Sequence, residues 1–184
     1  MIIALTQREV DIRGWQYDCT SQAWYQFLQR HTMRLIPNRT GDSKKWHLKG
    51  VDCLLLTGGD ASPNRNRVEE FAVNYFLDKG LPIIGVCHGA FFLNHYLGGR
   101  NGDIEGHMDT RHKITMEGHE QYVNSYHTLS LDRLSNELDA TAWDKQGHPE
   151  AFKHRYQEVW GVLWHPERMD QPVLPTDLQE LLDA

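Results

Sequence analysis

The stretch PIIGVCHGAFFLNHYLGG, residues 82–99, decides how the chain is read. A β-branched run enters Gly85-Val86-Cys87-His88-Gly89 and leaves as an apolar helical pattern. A small-x-nucleophile-x-Gly sequence between strand and helix is an elbow: the tight turn lifts the central side chain above a sheet, and the flanking glycines make room for it. Cys87 is therefore expected to point into a site. A helix N-terminus beneath it favours a thiolate, and the amide N–H of His88 is placed to bind an oxyanion. The competing reading is a thiol buried at an ordinary strand end.

Outward from the elbow, short apolar runs recur at Ile2 to Leu5, Arg34 to Ile36, Val51 to Leu56, Ile83 to Val86 and Val159 to Trp164, and their brevity and β-branched content predict buried strands. Between them lie helical patterns. Val68, Phe71, Ala72, Tyr75 and Phe76 share one face of a helix over residues 66–79, which Gly80 stops. A second helix is expected from Ser21 to His31 with Trp24, Phe27 and Leu28 inward, and a last one after Pro175, where Thr176 and Gln179 have capping-box spacing. Strands alternating with helices predict a single α/β domain over residues 1–184, a flavodoxin-like, mostly parallel sheet sandwiched by helices. Active sites in such sheets lie beyond the carboxyl ends of strands, which directs attention to the segments after Leu56, Val86 and Trp164. Residues 98–118, rich in Gly, His and charge, read as loops or a short hairpin.

Two further motifs stand at those strand ends. In LLLTGGDASP, residues 54–63, Gly58 and Gly59 could bring bare backbone N–H groups to the crevice as a second oxyanion donor, although Gly-Gly after a strand is also a common turn. In EVWGVLWHPERM, residues 158–169, a β-run ends in Trp164-His165-Pro166-Glu167. Cysteine attack on an amide needs an imidazole to hold the proton and return it to the leaving amine, and a carboxylate to fix that imidazole's tautomer. His165 and Glu167 can take those roles, with Pro166 restricting the backbone between them.

Composition narrows the partners. Lys and Arg number 19 against 25 Asp and Glu, a net charge of −6 with no basic block, so nucleic acid is not an expected partner. No stretch approaches about twenty apolar residues, and the first residues lack a basic leader, so a cytoplasmic location without membrane contact is expected. The 3 cysteines, Cys19, Cys53 and Cys87, are an odd number without paired spacing, and each is read as a reduced thiol. There are 11 histidines, and His107, His112 and His119 lie near Asp103, Glu105 and Asp109, but their spacing matches no helix-borne or paired-cysteine metal pattern. A charged loop without metal is the expectation.

The elements TGGD (57–60), GVCHG (85–89), VNSYH (123–127) and WHPE (164–167), in this order, resemble the class I glutamine amidotransferases, and within them the γ-glutamyl hydrolase branch that includes γ-glutamyl-γ-aminobutyrate hydrolases. The resemblance spans more than half of the chain. It implies that Cys87 is the nucleophile, His165 the base and Glu167 its orienter, with oxyanion donors at the backbone of Gly59 and His88. It also implies that Ser125, Tyr126 and His127 lie beside the glutamyl group, that no cofactor is needed, and that the substrate is a small γ-glutamyl amide, a γ-glutamyl-capped nucleotide phosphoramidate among the candidates. Two positions depart from the family pattern: His88 follows the nucleophile where Arg or Leu is usual, and Phe91 stands four positions after it where Gln is usual. Asn94, seven positions after Cys87, does match. Two alternatives share the same fold. A glutaminase subunit would deliver ammonia to a separate synthetase partner, and a chaperone or deglycase-like protein would share the Cys-His-Gly order but lack the WHPE element.

Overall fold

In the computed structural model, residues 1–39 and 47–184 are described. The chain opens with β1 (Ile2–Thr6), a surface hairpin of β2 (Arg8–Ile12) and β3 (Trp15–Cys19), the short helix α1 (Ala23–Phe27), β4 (Thr32–Ile36) and β5 (Cys53–Leu56). Helix α2 (Pro63–Leu77), β6 (Ile83–Val86) and helix α3 (His88–Tyr96) come next. Then come β7 (Arg100–Asp103), β8 (Thr110–Met116), β9 (His119–Ser125), β10 (Leu129–Arg133), β11 (Leu138–Asp144), β12 (Pro149–His154), β13 (Val159–Val162) and helix α4 (Thr176–Asp183).

The five apolar runs become five mutually parallel strands in the order β4-β1-β5-β6-β13, and the sheet continues antiparallel through β12, β11, β8 and β9 to nine strands. Strand alternation sends successive residues to opposite faces. Ile3, Leu5 and Leu55 pack with Trp24 and Leu28 near α1 and with Leu178 and Leu182 of α4. Ala4, Leu54 and Leu56 pack on the other face with Val68, Ala72, Val73 and Phe76 of α2 and with Ala90, Phe91 and Leu93 of α3. This is the flavodoxin-like sandwich expected from the sequence, with an antiparallel wing added beyond β13.

The local expectations met different ends. Helix α2 starts three residues earlier than expected, because Ser62 caps it by accepting from the Arg65 amide at 3.1 Å and Pro63 suits the first turn. Helix α1 is shorter than expected, five residues, although Trp24 and Leu28 do turn inward. The capping box at Thr176 does not form. Pro175 stands at the N-cap of α4, and the Thr176 amide and hydroxyl both donate to Glu117, at 2.8 and 2.6 Å. Residues 98–118 contain more order than loops: β7 pairs with β10, and β8 forms a hairpin with β9. Among the described residues, no helix is long and apolar enough to cross a membrane.

Candidate active site

Strands β5, β6 and β13 are neighbours, so the segments beyond Leu56, Val86 and Val162 emerge side by side. Cys87 leaves β6 with φ 50° and ψ −107°, a backbone conformation that side chains rarely adopt and that marks the expected elbow. The neighbouring glycines are sterically obligatory: a Cβ on Gly89 would lie 2.3 Å from the Leu56 carbonyl oxygen, and one on Gly85 would lie 2.7 Å from the Gly89 backbone. Backbone N–H groups of both His88 and Gly59 reach the Cys87 sulfur. The expected low-pKa thiolate is not what the surroundings favour. Burial pushes the Cys87 thiol up to about 11, with the Glu167 charge adding to it, and the two amides and Arg168 recover only part of that shift. The thiol is therefore the form these surroundings favour at Cys87.

Beyond β13 stands a histidine–carboxylate pair. His165 Nδ1 and Glu167 Oε1 are 2.7 Å apart and both side chains are buried. With Nδ1–H donated to the carboxylate, Nε2 is left as the acceptor. The backbone of His165 is gripped by Asn124 of β9: the His165 amide donates to Oδ1 at 2.8 Å, and Nδ2 donates to the His165 carbonyl at 2.9 Å. Gly58 lies under the imidazole, where a Cβ would meet His165 Cε1 at 2.4 Å.

A buried polar network beneath the crevice sets the direction of the Gly59 amide. Arg65, fully buried on α2, donates to the carbonyls of Gly58 at 3.3 Å and Asp60 at 3.1 Å, and to the carbonyl of Thr57. Across a trans peptide the N–H points opposite to the C=O. Once the Gly58 carbonyl faces Arg65, the Gly59 N–H must face the other way, toward Cys87. Arg65 Nε donates to Glu69 Oε1 at 2.8 Å, Thr6 Oγ1 donates to the same oxygen at 2.8 Å, and His88 Nε2 meets Glu69 Oε2 at 2.8 Å. Burial alone would raise the Glu69 pKa, but His88 and Arg65 override it and hold the carboxyl below its usual value. The His88 ring is thus anchored to the scaffold, and its amide alone serves the crevice. Arg65 and Glu69 carry no recognisable motif. The only sequence signal was a charged pair at i, i+4 on the helix face otherwise lined with apolar residues.

The crevice measures about 170 Å³ and is lined by Arg8, Cys19, Thr20, Ser21, Trp24, the Thr57–Gly59 turn, His165, Glu167 and Arg168. Arg8 and Cys19 sit at the base of the β2–β3 hairpin, an element the sequence reading did not anticipate. Of the three residues expected beside the glutamyl group, only Tyr126 stays near His165, the two rings edge-on at 5.5 Å, and the Arg168 guanidinium lies 5.0 Å from the centre of the Tyr126 ring. Ser125 is fully buried and donates its hydroxyl to the His107 carbonyl, and His127 is buried with Nδ1 donating to the Leu129 carbonyl at 2.7 Å. Neither presents a surface to a substrate: the alternation of β9 that keeps Asn124 on His165 turns Ser125 inward. Phe91 is likewise packed in the core, its ring 5.7 Å from that of His127. Asn94 is structural, accepting from the Ser135 amide at 3.0 Å and donating to Asn101 at 3.0 Å.

Away from the crevice, His107, His127 and Glu150 bring three buried side chains together with one potential ligand atom each, all within 4.8 Å of one another. Sequence reading weighed His107 but not this grouping, because Glu150 is distant in the chain and joins only through β12.

A mostly parallel sheet with a strained turn at Cys87 and a histidine–carboxylate pair at adjacent strand ends defines an α/β protein of the flavodoxin-like type. The chain belongs to the class I glutamine amidotransferase family, whose sequence model matches residues 18–179. It is 25% identical over 182 residues to a γ-glutamyl-CDP-amidate hydrolase of Campylobacter jejuni, covering 91% of this chain and 90% of that protein. It is also 30% identical over 145 residues to a glutamine-hydrolysing GMP synthase subunit of Haloquadratum walsbyi, covering 73% of this chain and 75% of that one. A glutamine amidotransferase from Thermotoga maritima shares the fold, with a TM-score of 0.67 at 16% identity over 90% of this chain and 76% of that chain.

Proposed function

We propose that this protein hydrolyses a γ-glutamyl amide through a thioester on Cys87. The buried 2.7 Å pairing of His165 with Glu167 beside the elbow cysteine is the observation that carries the reading. Cys87 passes its proton to His165 Nε2 as the sulfur attacks the γ-carbonyl carbon, and the Gly59 and His88 N–H groups receive the oxyanion. The C–N bond then breaks, with His165 returning the proton to the leaving nitrogen. Water, deprotonated by His165, adds to the thioester, and glutamate leaves as the sulfur regains its proton. Glu167 holds the imidazole's tautomer and stabilises its protonated form. These steps draw every reacting group from the protein and from water.

The leaving group is proposed to be larger than ammonia and anionic, such as a nucleotide phosphoramidate. The C. jejuni relative supports this, as do Arg8 and Arg168, two guanidinium groups at the rim of an otherwise small crevice. Tyr126, stacked under Arg168, is the proposed neighbour of the scissile bond. Remote binding energy from such a group can orient the amide. The purified protein should therefore release glutamate from a nucleotide-linked γ-glutamyl amide with a kcat/KM at least about tenfold above that for glutamine, roughly 1.4 kcal/mol. Acid-quenched mass spectrometry should find a γ-glutamyl adduct on Cys87. Absence of the adduct during turnover would refute the covalent route. The likeness to the H. walsbyi GMP synthase component supports a second reading, in which the chain is the glutaminase of a two-part enzyme. Glutamine hydrolysed well only after a synthetase is added would establish that one instead.

A further inference from the structure

We propose that His107, His127 and Glu150 form a binding site for a divalent first-row transition ion, zinc being the natural candidate. His107 lies in the loop before β8, His127 just after β9 and Glu150 on β12, so the chelate would tie two loops of the antiparallel wing to one of its strands.

The geometry is wrong for hydrogen bonds and right for ligands of one ion. His107 Nδ1 lies 3.3 Å from Glu150 Oε1, His112 Nε2 lies 3.4 Å from Oε2, and His127 Nε2 lies 3.6 Å from Oε2. Yet His107 Nδ1, both nitrogens of His112, His127 Nε2 and Glu150 Oε2 are buried without a hydrogen-bond partner. Two ligands at about 2.0–2.1 Å from a tetrahedral zinc are separated by about 3.3 Å. The rings crowd as ligands do, with the His107 centroid 4.3 Å from His112 and 5.0 Å from His127.

The tautomers point the same way. His127 gives its Nδ1–H to the Leu129 carbonyl, which leaves the Nε2 lone pair facing a carboxylate oxygen. His107 turns Nε2 toward Asp144 Oδ2, at 3.5 Å, and Nδ1 toward Glu150 Oε1. Backbone carbonyls and carboxylates behind ligating imidazoles are the usual outer partners of a metal. Lone pairs converging on a buried carboxylate repel unless a cation lies between them. Protonating three imidazoles would instead crowd three positive charges around it. One divalent ion balances Glu150 and Asp144 together. Two imidazole nitrogens among three ligands favour zinc and its first-row neighbours over magnesium or calcium, which require oxygen.

The test uses the whole protein, stripped with a chelator and dialysed. Elemental analysis after exposure to zinc is expected to give one ion per chain, cobalt to give the visible bands of a tetrahedral site that zinc abolishes, and magnesium to give nothing. Long-range ¹H–¹⁵N spectra are expected to shift at His127 Nε2 and His107 Nδ1 while His119 and His148 stay unchanged. Glu150→Gln and His107→Ala are expected to weaken zinc at least about a hundredfold, since even outer-shell changes cost 10–100-fold. The spectra report on the native sequence, so they decide the matter even where a variant fails to fold. Failure to retain zinc, or shifts confined to exposed histidines, would overturn the assignment.

Discussion

Two buried polar regions lie within this chain, and they are built on opposite terms. Under the crevice, Arg65, Glu69, Thr6, Thr57 and His88 satisfy one another and the turn after β5, so the region is complete as protein. In the antiparallel wing, His107, His112, His127 and Glu150 are nearly as buried, yet they leave several polar atoms without partners. Burial alone is therefore a poor guide to what a polar cluster is for. A closed network is a scaffold and a convergent unsatisfied one is a receptor, because desolvated groups persist only where something repays their hydration.

The comparison can be broken from either side. The largest expected effect lies above the closed network: Cys87→Ala or His165→Ala should lower kcat by roughly 10⁴-fold or more, with Glu167→Gln retaining a measurable remainder, read in the glutamate-release assay. Next comes the network itself. Glu69→Ala leaves Arg65 buried and unpaired, and chemical denaturation should show a loss of about 3–5 kcal/mol. The sign with pH comes from Glu69 being held below its usual pKa. Its contribution is full above the unfolded value of about 4.5 and is lost as pH falls further, so the native protein should lose stability below that value faster than Glu69→Gln. At Glu150 burial would raise the pKa, but His107, His112 and His127 outweigh it and hold the carboxyl below its usual value, so Glu150→Gln should cost stability even in chelator-stripped protein. The two regions part on the metal: zinc should stabilise the native protein and not Glu150→Gln, and equal stabilisation of both would erase the distinction.

Asn124→Ala removes two hydrogen bonds from the His165 backbone, and about 2 kcal/mol of misplacement should appear mainly in kcat rather than KM. The smallest expected effect is at the surface: breaking the exposed Arg155–Asp139 pair should leave the denaturation midpoint and the activity unchanged within error.

How much of this was legible depends on the physics of each half of the sheet. The parallel strands are buried on both faces and read as continuous apolar runs, so all five stood out. The wing strands alternate buried and exposed positions, as in the pattern of Thr110–Met116, and their Gly, His and charged residues resemble loops. The catalytic candidates lie in short motifs at strand ends and were visible by residue type and order. Arg65 and Asn124 act through backbone groups and Glu69 through buried side chains distant in sequence, and all three were silent, because nothing in their spacing shows which groups they will face. Ser125 and His127 were misplaced beside the substrate for the converse reason: a motif names neighbours in sequence, and β9 sends alternate residues to opposite sides. The expected thiolate at Cys87 failed because the helix N-terminus was weighed without the burial that outweighs it.

The glycines at 85 and 89 have a consequence for tracing this protein's descent. Each is fixed by backbone contacts that exist whether or not residue 87 is a cysteine. A descendant that abandoned catalysis would still be obliged to keep both, and would go on resembling an enzyme at its most recognisable motif. Gly58 differs, since what excludes a side chain there is the imidazole of His165 itself. Once that ring is lost, position 58 is free to drift, so a larger residue at 58 is the sign by which a retired member of the lineage could be told from a working one.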